Sequence, residues 1–244
     1  VRKLLLPVVD KIYQAAVQID TGLLSLLGLR LVINGKTWTR DTEFLFPRGS
    51  VVMSNHQSWF DIMILQWLIT YHGPMIKFLI KKQLIYVPIV GWICLALNFP
   101  RLNRDRDPAS READTQAIQS TAQDMQDHPG VLLIFTEGTR FTEQKRHQQS
   151  SPFIHLLNPK PGGMTILQEA LPPETTVLDV SISYGNRARC SYWQHLSGLT
   201  KEVNLTISEH SFAEVQQMKD FLEQRWKIKD QWLDDQLNVT EPPA

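Results

Sequence analysis

Val131-Leu132-Leu133-Ile134-Phe135-Thr136-Glu137-Gly138 is the stretch that decides the fold. Five apolar residues run without a polar break and then meet a turn containing glycine. A strand with one wet face alternates apolar and polar residues, so an unbroken run predicts a strand covered on both faces. Strands of that kind belong to parallel sheets with helices packed on each side. The run follows His128-Pro129-Gly130, which stops a polar helix predicted over residues 111–126, where Ala113, Ala117, Ile118, Ala122 and Met125 recur at helical spacing.

Outward from this strand the pattern repeats. Residues 29–33 read as a strand entering the turn Asn34-Gly35, residues 51–54 as a buried strand, and residues 75–80 and 98–103 as two more. A helix is predicted over 59–71, and an apolar segment covers 84–100. Downstream, a loop rich in Pro and Ser spans 150–163, and a short helix over 164–170 stops at Pro172-Pro173. Residues 177–184 and 203–207 read as strands and 213–237 as a helix. Strands alternating with helices predict an α/β fold: a single domain over residues 31–244, with a mostly parallel or mixed central sheet flanked by helices. An N-terminal helical segment, residues 1–30, precedes it. This segment reads equally as a surface-packed amphipathic helix or as a membrane-associating one, and an anchor upstream of Val1 stays open.

Composition narrows the function. The chain has 244 residues with 25 basic and 25 acidic side chains, which excludes a nucleic-acid binder driven by bulk charge. Two distant cysteines, Cys94 and Cys190, supply neither a disulfide framework nor a zinc quartet, so a reducing, cytoplasm-facing location is expected. No stretch is long and purely apolar enough to read as a membrane span, since residues 84–100 are interrupted by Pro88, Gly91 and Asn98.

Chemistry concentrates in Asn55-His56-Gln57-Ser58-Trp59-Phe60-Asp61, directly after the buried strand 51–54. Residues five apart on one helix differ by about 140° in azimuth, so His56 and Asp61 meet only if the chain turns between them. Ser58-x-x-Asp61 reads as a capping box opening the 59–71 helix, which leaves His56 on the loop before it. A carboxylate held against the ring fixes its tautomer and favours the imidazolium, the arrangement of a general base. Taken alone, the pair reads equally as a helix cap beside an ordinary loop histidine.

A second constellation, Thr136-Glu137-Gly138-Thr139-Arg140, follows the strand 131–135. Ligands of α/β folds bind beyond the carboxyl ends of strands. A glycine there admits close backbone approach to an anion, and Arg140 offers a planar fork for phosphate. Glu137 reads as orienting Arg140, as hydrogen-bonding a substrate hydroxyl, or as one half of a surface ion pair. A third cluster, Arg101 to Arg106, adds guanidinium groups, and Lys81-Lys82 adds charge upstream.

With these residues in view, NHQSWFD resembles the NHxxxxD motif of the glycerolipid acyltransferases, the 1-acylglycerol-3-phosphate acyltransferase family. FTEGTR is similar to that family's FPEGTR block, with Thr136 in place of proline. Phe99 to Arg104 resembles the intervening block that ends in an arginine. Residues 177–184 fall where the fourth block lies; they lack its common proline and look closer to the lysocardiolipin-type branch. The resemblance covers about residues 31–184. It implies transfer of a fatty acyl group from acyl-CoA or acyl carrier protein to the free hydroxyl of a lysophospholipid, first of all 1-acylglycerol-3-phosphate. The alternatives it leaves are another lysophospholipid acceptor or a lipid-binding module without catalysis. In the implied mechanism His56 takes the acceptor proton and Asp61 orients it, with oxyanion donors near Asn55 or Gly138. Arg104, Glu137, Gly138, Thr139 and Arg140 hold the phosphate and glycerol, and Asn55, Ser58 and Lys82 support the site. No cofactor or metal is implied beyond the acyl donor, and the histidines outside the motif show no ligand spacing. The expected location is a membrane surface with the site facing the cytoplasm, as at a bacterial inner membrane.

Overall fold

The computed structural model describes residues 2–37, 46–71, 73, 76–82, 99–103, 107–128, 130–185 and 190–238. Nine strands are found among them: β1 (Arg30–Ile33), β2 (Lys36–Thr37), β3 (Val51–Ser54), β4 (Ile76–Phe78), β5 (Ile80–Lys81), β6 (Arg101–Leu102), β7 (Val131–Phe135), β8 (Thr176–Ser183) and β9 (Glu202–Ser211). The principal helices are α1 (Arg2–Leu26), α2 (Phe60–Thr70), α3 (Pro108–Asp127), α4 (Glu143–Gln148), α5 (Gly162–Ala170) and α6 (Met218–Asn238).

Seven strands form one sheet in the order β2-β1-β9-β8-β3-β7-β4. β4, β7, β3 and β8 run parallel to one another, as the buried apolar runs require. β9 then runs antiparallel to β8, and β1 lies parallel to β9. The sheet is therefore mixed. β2 folds back on β1 through Asn34 and Gly35, both at positive φ, the conformation of a two-residue hairpin turn.

Alternation along the central strands divides the core in two. Val52, Leu133, Leu178 and Val180 point to one face, where Phe60, Ile64, Leu65 and Leu68 of α2 and Leu24 of α1 cover them. Val51, Met53, Leu132 and Ile134 point to the other, against Ile118 and Ala122 of α3, Met164 and Leu167 of α5, and Leu222 and Trp226 of α6. α3 starts one turn earlier than residue 111, because the Asp107 side chain accepts from the Ser110 N–H and Pro108 occupies the first turn.

Three expectations are corrected. The predicted strand 98–103 shortens to β6, which pairs with β5 in a separate two-stranded sheet. The loop predicted before residue 164 is partly helical, since α5 begins at Gly162. The C-terminal helix starts at Met218, after a single 3₁₀ turn over Phe212–Glu214. Most of the apolar segment 84–100 lies outside the described residues. Among those described, no helix is long and apolar enough to cross a membrane.

Candidate active site

Parallel β3, β7 and β8 end on the same edge of the sheet, and the residues immediately beyond them build one site. Asn55 follows β3. Its side-chain Nδ2 donates to the Ile182 carbonyl at 3.0 Å, and its Oδ1 accepts from the Ile182 N–H at 2.8 Å. The amide thus extends the pairing of β3 with β8 beyond Ser54. Both of its polar ends are engaged with Ile182, so the Asn55 side chain ties the loop that carries His56 to β8.

His56 comes next, and its Nδ1 lies 2.8 Å from Asp61 Oδ2. The same oxygen accepts the backbone N–H groups of Gln57 at 2.7 Å and Ser58 at 3.0 Å. With Nδ1–H donated to the carboxylate, the lone pair sits on Nε2, where a base needs it. The ring stacks on Phe135 with centroids 3.9 Å apart and meets Trp59 edge-on at 6.2 Å. Asp61 is fully buried in the first turn of α2, so its charge acts on the imidazole with little screening by water.

The capping expectation is half right. Asp61 does reach back to the Ser58 N–H, but Ser58 Oγ accepts from Phe60 N–H at 3.2 Å rather than from Asp61. α2 begins at Phe60, with Trp59 in the cap position and no side-chain cap bond. The hydroxyl closes a tighter turn, and that turn brings the carboxylate under the ring.

The second motif is stitched to the first through the histidine's own backbone. His56 N–H donates to Glu137 Oε1 at 3.1 Å, and the His56 carbonyl accepts from Phe141 N–H at 2.7 Å. The other Glu137 oxygen accepts Leu157 N–H at 3.1 Å, and the side chain is fully buried. Burial pushes the Glu137 carboxyl up to about 8, against the opposing pull of those two N–H donors. Glu137 is therefore a clamp between loops; it neither faces solvent as a surface pair nor reaches outward for a substrate hydroxyl.

Gly138, at φ +70°, reverses the chain after this inward carboxylate. Its N–H is taken by the Phe135 carbonyl at 2.9 Å, which removes it as an oxyanion donor. A side chain here would also press on Lys160, whose Nζ stands 3.2 Å from where a Cβ would be. Beyond the turn Arg140 lies over the Trp59 ring, its guanidinium carbon 4.7 Å from the centroid. Trp59 is 41% exposed, so the pair borders the mouth of the site. Lys145 on α4 donates to Thr139 Oγ1 at 2.7 Å and to the Arg140 carbonyl at 2.9 Å. Burial, and then the neighbouring Arg140 charge, lower its affinity for a proton.

Of the residues expected from the sequence, Asn55, His56, Ser58, Asp61, Glu137, Gly138, Thr139 and Arg140 come together. Lys82 is exposed just beyond β5, and Arg104 lies outside the described residues. Sequence reasoning missed Trp59 as the partner of Arg140, Lys145, and Tyr184, whose hydroxyl lies 2.5 Å from Asp61 Oδ1. Lys145 had one available signal: Thr142 three residues before it is a helix N-cap, which turns Lys145 back over residues 139 and 140.

Known proteins resemble this chain over most of its length. The 1-acyl-sn-glycerol-3-phosphate acyltransferase 3 of Arabidopsis thaliana is 24% identical over 198 residues, spanning 75% of this chain and 51% of the relative. The human 1-acyl-sn-glycerol-3-phosphate acyltransferase delta is 27% identical over 192 residues, spanning 69% of this chain and 49% of the relative. The chain thus spans about half the length of these curated relatives. The crystal structure of the 1-acyl-sn-glycerophosphate acyltransferase PlsC from Thermotoga maritima superposes with a TM-score of 0.63 at 17% identity, over 96% of this chain and 82% of that one, and shares its fold. The model of the family described as Acyltransferase matches residues 39–185, more than half of the sequence and all three strand ends that carry the site, and the chain belongs to that family.

Proposed function

We propose that this chain transfers a fatty acyl group from a thioester donor, acyl-CoA or acyl carrier protein, to the free hydroxyl of a lysophospholipid, with 1-acylglycerol-3-phosphate as the acceptor. The observation that carries the reading is the buried His56–Asp61 pair at 2.8 Å, with Nε2 left as the base. Family membership supports acyl transfer, and the names of the relatives support the acceptor.

In this reaction His56 Nε2 takes the proton of the acceptor hydroxyl as its oxygen attacks the thioester carbonyl carbon. The imidazolium formed is stabilised by Asp61. Collapse of the tetrahedral intermediate breaks the C–S bond, and the leaving thiolate takes the proton back from His56. Arg140, held flat by Trp59, pairs with the acceptor phosphate, and Lys145 adds positive charge behind it. A membrane surface is the natural source of the lysophospholipid acceptor. The exposed Ile12, Ile19, Leu23 and Leu26 on the outer side of α1, together with Trp193, support docking there.

The test is thioester consumption with lysophosphatidic acid and acyl-CoA. His56→Ala should show no turnover with an unchanged circular dichroism spectrum, and retained activity overturns the assignment of the base. An acceptor panel, run with CoA and carrier-protein donors, separates lysophosphatidic acid from lysophospholipids with larger head groups. Liposome binding with no transfer from any donor points instead to a lipid-binding module.

A further inference from the structure

We infer that Tyr184 is the third member of a His56–Asp61–Tyr184 array, a positioning residue whose phenol sets the orientation and charge distribution of the Asp61 carboxylate. This rests on the reading of His56 as the base. Asp61 Oδ2 carries three donors: the His56 ring and the backbone N–H groups of Gln57 and Ser58. Oδ1 has a different environment. Tyr184, one residue beyond the end of β8, donates its hydroxyl to it at 2.5 Å. Both side chains are buried, Asp61 at 0% and Tyr184 at 3% exposure, so water does not substitute for either.

Two further aromatic side chains pack against Tyr184. Phe60 lies 6.2 Å from the Tyr184 ring and is apolar. The His195 ring packs 4.6 Å from Tyr184 and 4.9 Å from Phe60, and its Nδ1 is engaged with Thr200 Oγ1 at 2.6 Å. The titratable groups whose charge acts with that of Asp61 are His56 on the loop after β3, Glu137 after β7, Tyr184 after β8 and His195 in the 195–199 turn. Glu137 adds like charge when ionised. Burial, then the negative Asp61, pushes the Tyr184 hydroxyl well above its ordinary range, so it stays a donor at any working pH. Burial holds His195 towards its neutral form.

Two consequences follow from this geometry. Donation at Oδ1 fixes the carboxylate plane so that Oδ2 faces His56 Nδ1. It also draws negative charge away from Oδ2, which moderates how strongly the imidazolium is favoured. A base that holds its proton too firmly returns it slowly to the leaving thiolate.

Tyr184→Phe removes the hydroxyl while keeping the ring against Phe60 and His195. The expected result is a fall in kcat of about tenfold with KM for the acceptor little changed. The acid limb of the pH profile should move up by about half a unit to one unit. Replacing residue 184 with 3-fluorotyrosine, a stronger donor of nearly the same size, should move that limb the other way. The midpoint of the His56 ring titration, followed by NMR in the protein without substrate, should shift in the same two directions. Opposite shifts in the two variants support the array even if no donor and acceptor are turned over, in which case the proposed function fails and this inference stands. Unchanged His56 midpoints in both variants overturn it, whatever happens to the rate. Should Tyr184→Phe fail to fold, the fluorotyrosine protein alone decides: a downward shift supports the array and no shift overturns it.

Discussion

Asp61→Asn tests the proposed base most directly, because the structure sets the size of the effect. Asp61 is fully buried, and its Oδ2 lies 2.8 Å from His56 Nδ1. When the imidazolium forms, the two charges are centred about 4 Å apart, and an effective dielectric of about 20 gives about 4 kcal/mol of stabilisation. Losing it is worth about a thousandfold in rate. Orientation adds to this. Asparagine must present its oxygen to His56, Gln57 and Ser58, which turns its NH₂ towards the Tyr184 hydroxyl at the former Oδ1 position. The opposite rotamer sets NH₂ against two backbone N–H donors and forces the histidine proton onto Nε2, which removes the base. The combined loss in kcat/KM should be on the order of 10³- to 10⁴-fold, with acceptor KM little changed. One mismatched donor in a buried site costs about 2 kcal/mol, so Tm should fall by about 4–8 °C and the protein should remain folded. The assay is continuous detection of released thiol with lysophosphatidic acid and acyl-CoA, alongside a thermal melt. Activity within tenfold of the parent protein, at normal secondary structure, refutes the role of Asp61.

Three further outcomes follow from single contacts. Trp59→Ala removes the ring beneath Arg140, a contact worth about 0.5–2 kcal/mol, and should raise acceptor KM by about 2- to 30-fold; an unchanged KM contradicts the seat assigned to Arg140. Glu137→Gln should flatten the dependence of Tm on pH. The carboxyl titrates near 4.5 in the unfolded chain and about 8 in the fold, so its contribution is complete below 4.5 and disappears as pH rises through 8. The whole swing is at most about 5 kcal/mol, and equal slopes for the two proteins between pH 5 and 8 rule the shift out. Lys229→Met strips a buried ammonium from Asp179, Val180 O and Ser181 Oγ, leaving Asp179 to Arg225 alone. Destabilisation of about 3–5 kcal/mol is expected in a denaturant melt, with most of it recovered when Asp179 is also made apolar.

Burial explains which elements were legible. β3 and β7 match their predicted bounds because both of their faces are covered, so no solvent-facing residue blurs the ends. β9 was read as residues 203–207, yet runs from Glu202 to Ser211. Its second half, Ser208-Glu209-His210-Ser211, is polar and pairs with residues 176–179 of β8, a contact that hydropathy does not signal. Strand direction was equally silent, since the antiparallel β8–β9 pair has no local composition that marks it. α4 was missed for a different reason. Glu143-Gln144-Lys145-Arg146-His147-Gln148 has no apolar face, and the Thr142 cap and an i,i+3 Glu143–Arg146 pair accompany it.

The site shows a sharper version of the same limit. His56 and Asp61 were legible because the two can meet only if the chain turns between them, and the resemblance of NHQSWFD to the NHxxxxD motif favoured the base over the helix cap. Glu137 was not, because a motif gives residue types and leaves open which way each one faces. Between Glu137 and Arg140 the chain passes through Gly138 at φ +70°, sending the carboxylate inward to the His56 N–H and the guanidinium outward to Trp59. Two neighbouring charges that read as one surface pair thus serve different steps. In the proposed reaction Arg140, seated on Trp59, meets the acceptor phosphate at the mouth, so changes to Arg140 should act on KM. Glu137 and Phe141 hold the backbone of His56 at its N–H and its carbonyl, so changes to Glu137 should reach kcat without any contact to substrate. In the proposed reaction the base and the anion site belong to one hydrogen-bonded unit, which holds the two motifs together although His56 and Glu137 stand 81 residues apart.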